Sequence, residues 1–304
     1  MHRRDFLKYL AALGLVAGAG RRLVLPEEVW AMAPNQTPEA LLAKVQGANY
    51  AHLVGDAVQA LGGMKKFVNP GEVVVVKPNM AWDRTPEMGA NAHPVVVRKV
   101  VELCLEAGAK QVKVLDHTCD DARKAYAASG IKAAVENIRD PRAVVEFVDD
   151  RRFVELTIEK AKALKKWYFY KDILEADRFI NIPVAKQHSE SRLTMCLKNM
   201  MGAIGGWRGR IHVGLHQNIA DMNLLLRPDL HVLDATRILL RNGPKGGKVE
   251  DVEVKNLLFA GADPVALDAM GAGLFGLKPE DLGYIVKAHQ AGRGEMDLNK
   301  IKLV

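Results

Sequence analysis

Cysteine is scarce in this chain. Cys104, Cys119 and Cys196 are the only three in 304 residues, and no two of them form a C-x-x-C pair. An odd count without that spacing argues against an essential disulfide and leaves no cysteine cluster to hold an iron-sulfur centre. Cys104 lies in an apolar helical pattern and reads as core, and Cys196 reads as a small buried residue rather than a nucleophile. Aromatic residues make up 6% of the chain. With no zinc-finger spacing, no ribonucleoprotein aromatic motif and no basic helix interleaved with aromatics, nucleic acid is not an expected partner. Long apolar runs are missing too. The stretch from Leu10 to Gly20 is closed by Arg21 and Arg22 and falls short of the roughly 20 residues a spanning helix needs. Walker loops, dinucleotide fingerprints, long-period repeats and low-complexity tracts are also absent, which removes the usual sequence routes to a nucleotide or solenoid assignment.

Positive charge is present in excess. Lys plus Arg number 43 against 36 for Asp plus Glu, and the excess persists once the first 33 residues are set aside, favouring anionic partners. The N-terminus, M-H-R-R-D-F-L-K, places a twin arginine (Arg3, Arg4) before a short Gly- and Ala-rich apolar run, and Ala31-Met32-Ala33 offers a small-x-small cleavage site. This is similar to a twin-arginine export signal over 1–33, followed by a linker over 34–48. It predicts an exported, periplasmic or otherwise extracytoplasmic protein with the twin-arginine machinery as a partner. Retention as an uncleaved anchor is an alternative.

From residue 49 onward, apolar runs alternate with helical periodicity. Thr37 to Gln46 reads as linker with some helical content, Asn49 to Leu61 as a helix, and Val73 to Val76 as a strand buried on both faces. A helix over Pro94 to Ala107 and a strand over Gln111 to Leu115 follow. Next come a helix over Asp121 to Asn137 broken at Gly130 and a strand over Ala143 to Val148. Phe153 to Ile158 and Arg178 to Val184 read as strands, and Phe169 to Ala176, Leu193 to Ala203 and His212 to Leu226 as helices. Leu230 to Leu233 and Val254 to Ala260 are strands. Asp263 and Pro264 start the next helix as cap and first residue, another runs from Pro279 to Ala291, and a last strand covers Lys300 to Leu303. The expectation is an α/β fold: a largely parallel, doubly wound sheet with helices on both faces, as one domain over 49–304 or as two lobes.

Such sheets bind ligands at the carboxyl ends of their strands. Five strands here end in polar groups: Lys77 and Asn79, Asp116 and His117, Lys186 and His188, Asp234, and Asp263. The densest chemistry lies in K-Q-H-S-E-S-R-L-T-M-C-L-K-N-M-M-G from Lys186, continuing through a Gly-rich turn to His212 and His216. Lys77, Asn79, Lys186, Arg192, Asn199 and Asp234 are candidates for holding an anionic small molecule. His188 and Lys198 are candidates for chemistry, the lysine as a base or imine-forming nucleophile whose pKa is lowered by its cationic neighbours. His212 and His216, four apart and facing one way on a helix, are candidate metal ligands with Asp116, a divalent metal being one option for an unidentified cofactor. No Glu lies between the two histidines, so the metalloprotease motif is absent.

Together, K-P-N at Lys77, His93-Pro94, K-x-H at Lys186, T-x-x-x-K-N-x-x-G from Thr194 to Gly202 and D-P-V-A-L-D from Asp263 resemble the domain of unknown function 362 family, from roughly Asn49 to the end. The resemblance implies no particular activity. Many members carry a ferredoxin-like segment with cysteine clusters, which this chain lacks, so it implies no iron-sulfur cluster here. The order His188, Lys198, His212 is also similar to that in which the nickel-pincer lactate racemase family presents a proton-transferring His, a cofactor-bearing Lys and a nickel-binding His, although the surrounding motifs differ. The functional expectation is a cofactor- or metal-dependent enzymatic site for a carboxylate or phosphate at the carboxyl edge of the sheet. The alternative is a non-catalytic binding or maturation module for an anionic cofactor or metabolite.

Overall fold

The computed structural model describes residues 40–304. The twin-arginine segment and its cleavage site lie outside the described residues. Strand β1 (Leu41–Gln46) leads to helix α1 (Tyr50–Ala60), where the Asn49 side chain accepts the His52 N–H as an N-cap. Strand β2 (Val73–Pro78) and helix α2 (Pro94–Glu106) follow, and His93 caps α2 by accepting the Val95 N–H. After β3 (Gln111–Val114) come α3 (Ala122–Ala128) and α4 (Ile131–Glu136), separated at Gly130, whose φ of 71° is left-handed and suits glycine. Next are β4 (Ala143–Val145), β5 (Phe153–Thr157), β6 (Lys166–Tyr170), α5 (Lys171–Glu175), β7 (Arg178–Ile182), β8 (Val184–His188), β9 (Arg192–Thr194) and α6 (Cys196–Asn199). The chain ends with α7 (Leu215–Leu225), β10 (Leu230–Leu239), β11 (Val252–Gly261), α8 (Pro264–Ala272), α9 (Gly283–Gln290) and β12 (Lys302–Leu303).

One sheet has the order β12-β1-β11-β10-β7-β2-β3-β4, with β8 pairing β10 and carrying β9, while β5 and β6 form a separate hairpin. From β10 to β4 every neighbour is parallel. Strand β11 is antiparallel to both β10 and β1. The valine run of β2 is buried on both faces because helices cover both. Val74 and Val76 join Ile180, Ile182 and Val232 in one apolar core with α1, α2 and α4. Val75 joins Phe179, Leu233 and Phe259 in a second core with α6 to α9. The chain winds outward from β2 through β3 to β4, then returns to lay β7 and β10 on its other side. This reversal opens a crevice at the carboxyl ends of β2 and β7, where such sheets bind ligands.

Several segments differ from the sequence reading. Residues 41–46 are a strand rather than a helical linker, because β11 presents a row of backbone groups that β1 pairs over Gln46 to Leu42. The helix expected from Leu193 begins only at Cys196, since Arg192 to Thr194 pair with β8 and Met195 breaks away at φ −149°, ψ −141°. The helix expected from His212 begins at Leu215, after Gly214 turns the chain at φ 80°. Phe169 belongs to β6 rather than to the helix that follows.

The loop before β6 is fastened to α7 by one carboxylate. Asp221, 1% exposed, accepts the backbone N–H groups of Lys162 (3.1 Å), Ala163 (2.7 Å) and Leu164 (2.8 Å), and the Gln217 amide at 2.8 Å. Asp221→Ala would leave three backbone donors without this acceptor, the Leu164 N–H among them buried, and is expected to cost about 2 kcal/mol in urea denaturation. A loss within about 0.5 kcal/mol of zero would contradict this role.

Candidate functional site

The site begins with a row of polar residues where apolar ones would be expected. Lys77 on β2 is in register with Asn181 on β7, which is in register with His231 on β10. All three are fully buried. Their face of the sheet is covered by α6, the short helix of the K-N motif. Two backbone N–H groups open this helix and find their acceptor far along the chain: Asp268 takes Cys196 N–H at 2.7 Å and Leu197 N–H at 3.1 Å. Asp263, in the same D-P-V-A-L-D stretch, caps α8 through Val265 and Ala266 as expected. The motif therefore serves as the fastening of α6. Burial raises the Asp268 carboxyl to about 7 against the lowering effect of those two N–H groups.

The Lys77 ammonium sits 2.8 Å from Asp116 Oδ1 with both side chains buried, and Asp116 Oδ2 accepts Met80 N–H at 2.8 Å. Burial lowers the Lys77 pKa, and Asp116 opposes that shift. Gly202 lies directly over the pair: a Cβ there would come 1.9 Å from Asp116 Oδ1 and 2.7 Å from Lys77 Nζ. The glycine of K-N-x-x-G is thus required by close approach to an ion pair. Lys77 is the buried partner of that pair and does not reach the cavity wall.

From Lys186 a chain of side-chain amides runs in one direction. The Lys186 ammonium donates to Asn79 Oδ1 (2.8 Å), Asn79 to Asn199 Oδ1 (2.8 Å), and Asn199 to Asn181 Oδ1 (2.7 Å). Asn181 Nδ2 is 2.9 Å from His231 Nδ1 and also donates to the Cys196 carbonyl at 3.1 Å. Each amide oxygen faces Lys186 and each amide nitrogen faces His231, so the proton of a neutral His231 sits on Nε2. Burial takes His231 down to about 3, which keeps it neutral.

These elements enclose a cavity of about 430 Å³ whose wall includes Asn79, Asp116, Lys186, His188, Lys198 and Asn199. Burial lowers Lys186 to about 7 and Lys198 to about 8. Lys186 also lies 5.9 Å from the Trp82 ring centroid, with Lys245 at 5.8 Å from the same ring. Lys198 Nζ has no hydrogen-bond partner among the described residues, and the Thr194 hydroxyl on the same wall is buried without one. The Arg208 guanidinium is occupied by the backbone carbonyls of His117 (2.8 Å), Met201 (3.3 Å) and Thr118.

Two imidazoles face each other at 6.1 Å between centroids: His188 and His212. Glu190 sets both. Its backbone N–H, at 3.1 Å, and that of Ser191, at 3.4 Å, donate to His188 Nδ1, while its carboxylate is 2.8 Å from His212 Nδ1. A backbone N–H can only donate and a carboxylate can only accept. His188 therefore keeps its proton on Nε2, and the neutral form of His212 carries its own on Nδ1, with Nε2 as the acceptor. Burial and the nearby Lys198 hold His188 neutral, down to about 3.

Several expected site residues lie elsewhere. Asp234 falls inside β10, where it accepts His93 N–H (2.6 Å), Thr236 N–H (2.9 Å) and the Thr236 hydroxyl (2.7 Å); it fastens a loop and does not line the cavity. Asp263 sits at the opposite edge because β11 runs antiparallel. Arg192 is exposed and donates to the Asp281 carbonyl at 3.3 Å. His212 and His216 do not share a helix face, since α7 starts after His212, and His216 stacks on Tyr284 at 6.2 Å instead. With Asp116 committed to Lys77, the three expected metal ligands do not converge, and no group of three or more His, Cys, Asp or Glu side chains among the described residues is placed to hold a metal ion. Sequence reasoning gave no role to Glu190, Trp82, Thr194 or Arg208. The T-x-x-x-K spacing was the one usable signal among these, placing Thr194 on the strand that leads into the helix of Lys198.

The lowered lysines fix a pH dependence. Between about 7 or 8 in the folded protein and the ordinary 10.5 of an unfolded chain, the unfolded state binds more protons. Stability contributed by these groups therefore rises with pH across that window. Lys186→Met should flatten the curve of unfolding free energy against pH above neutrality by up to about 1.4 kcal/mol per pH unit. An unchanged slope would show that burial does not lower the Lys186 pKa in the folded protein.

Residues 74–273 match the family described as Domain of unknown function (DUF362). A thylakoid-associated protein of Synechocystis sp. is 27% identical over 243 residues, covering 77% of this chain and 73% of that protein. Among solved structures, a Thermotoga maritima protein aligns with TM-score 0.39 and 11% identity over 81% of this chain and 60% of its own. The lactate racemase apoprotein of Thermoanaerobacterium thermosaccharolyticum aligns with TM-score 0.40 and 12% identity over 81% of this chain and 58% of its own. The chain thus spans about three fifths of the length of these two structures. With the family match extending over most of its length and through the residues that build the cavity, the chain belongs to the DUF362 family.

Proposed function

We propose that the cavity binds a small carboxylate or phosphate and that the protein is an enzyme moving a proton on a carboxylate held there. One observation carries this reading: the wall has cations without anionic partners. Lys198 is unpartnered among the described residues, Lys186 donates to the Asn79 amide, and Arg208 donates to backbone carbonyls. Asp116 is neutralised by Lys77, which leaves Glu190, more than half exposed, as the remaining carboxylate on the wall. Keeping ammonium groups out of water without a counter-charge is costly, and an anionic ligand would offset that cost.

The histidine pair suggests the reaction. In this reading His212 Nε2 accepts a proton from the carbon next to the carboxylate, with Glu190 stabilising the imidazolium through Nδ1–H. His188 Nε2–H and the Lys198 ammonium donate to the carboxylate oxygens as negative charge builds on them. The non-catalytic alternative, capture of an anionic metabolite, needs the cations but not the opposed tautomers. Export by the twin-arginine route is part of the proposal, supported by Arg3 and Arg4 ahead of the short apolar run.

Calorimetry with inorganic phosphate should detect binding that weakens as pH rises past about 8, where Lys198 loses its proton. Lys198→Met should weaken it roughly 10- to 100-fold, the worth of one charge-assisted hydrogen bond. In deuterium oxide, a panel of short carboxylic acids should show incorporation of deuterium beside the carboxylate. His212→Ala should abolish that exchange while leaving phosphate bound within about tenfold. Absence of phosphate binding would overturn the anion site, and binding without exchange in any acid would favour the capture module. Replacing Arg3 and Arg4 together by Lys should keep the protein in the cytoplasmic fraction; unchanged fractionation would remove the export proposal.

A further inference from the structure

Cys119 differs from the other two cysteines. Cys104 and Cys196 are buried, whereas Cys119 is exposed and lies on the cavity wall, in the loop between β3 and α3. Its backbone N–H donates to the Ala81 carbonyl at 2.9 Å. The next residue anchors the loop: the Asp120 carboxylate accepts Asp83 N–H at 3.0 Å and pairs with Lys245 at 2.8 Å. The thiol is close enough to Lys77, Lys186 and Lys198 to act electrostatically on all three ammonium groups. An independent observation places a ligand beside it: the Lys198 ammonium and the Thr194 hydroxyl, both more than nine-tenths buried, face the same cavity without a partner among the described residues.

We infer that Cys119 is a nucleophile that forms a covalent bond to the anionic ligand of this cavity, a small carboxylate or phosphate bearing an electrophilic carbon with a leaving group. The inference rests on the anion-site reading above. Lys186 and Lys198, on the same cavity wall as Cys119, hold the anionic end of the ligand beside the sulfur. In the step, the thiol gives its proton to solvent and the sulfur pair attacks the electrophilic carbon. The S–C bond forms as the bond to the leaving group breaks, and that group departs with its electron pair. No oxidant or reductant is needed. The other two thiols are buried, so an intrachain disulfide does not compete.

Iodoacetate is a minimal ligand of this class, with a carboxylate, an electrophilic methylene and iodide as leaving group. Iodoacetamide is its uncharged counterpart. The full chain near pH 7.5 is treated with each reagent, and modification of the Cys119 peptide is followed by mass spectrometry. The expected result is reaction with iodoacetate roughly tenfold or more faster than with iodoacetamide, saturating with concentration, slowed by inorganic phosphate, and losing its preference in Lys198→Met. Equal or slower reaction with iodoacetate while phosphate still binds in calorimetry would overturn the nucleophile and leave the anion site standing. No preference together with no phosphate binding would overturn both. If Lys198→Met fails to fold, protection of the native chain by phosphate decides the same question.

Discussion

Removing lysine ammonium groups from water is the constraint around which this molecule is arranged. Lys77, Lys186 and Lys198 are each at least nine-tenths buried at one edge of the sheet, and each is treated differently. Lys77 is given a carboxylate and then sealed by a glycine that leaves no room for a side chain. Lys186 is given neutral oxygens and an aromatic face. Lys198 is given nothing among the described residues, and its position depends on Asp268 gripping the first turn of its helix from across the core. The gradation from fully paired to unpaired runs toward the cavity, which is the order expected if the last charge is kept for a ligand.

Much of the fold was legible in the sequence because its signals are local. The Val73 to Val76 run, the Asp263 cap and the glycine break at Gly130 each carry their own physics and hold in the structure. What could not be read depends on distant partners. Leu41 to Gln46 becomes a strand because of β11, more than 200 residues later. Arg192 to Thr194 becomes a strand because the chain folds back on β8. Spacing arguments failed for His212 and His216 for a related reason: four residues apart means one face only if the helix is continuous, and Gly214 ends that continuity.

The candidate site follows the same division. Lys186, His188, Lys198, Asn79 and Asn199 were accessible to sequence reasoning because they cluster around two strand ends. Asp234 was misplaced because a polar residue after an apolar run looks like a strand end, whereas β10 continues through it to Leu239. Glu190 was missed because its importance comes from using backbone and side chain at once on two rings, and no spacing pattern encodes that.

The directed amide chain has a consequence for how substitutions in this protein should be interpreted. His231 touches nothing in the cavity, yet it fixes the orientation of Asn181, and through Asn199 and Asn79 the orientation of the oxygen that receives Lys186. An amide reversed at any point would present a nitrogen where the next residue requires an oxygen, so the links can only turn over together. Distance from the cavity is therefore a poor guide to tolerance: a change at His231 is closer, in effect, to Lys186 than many residues that pack beside it.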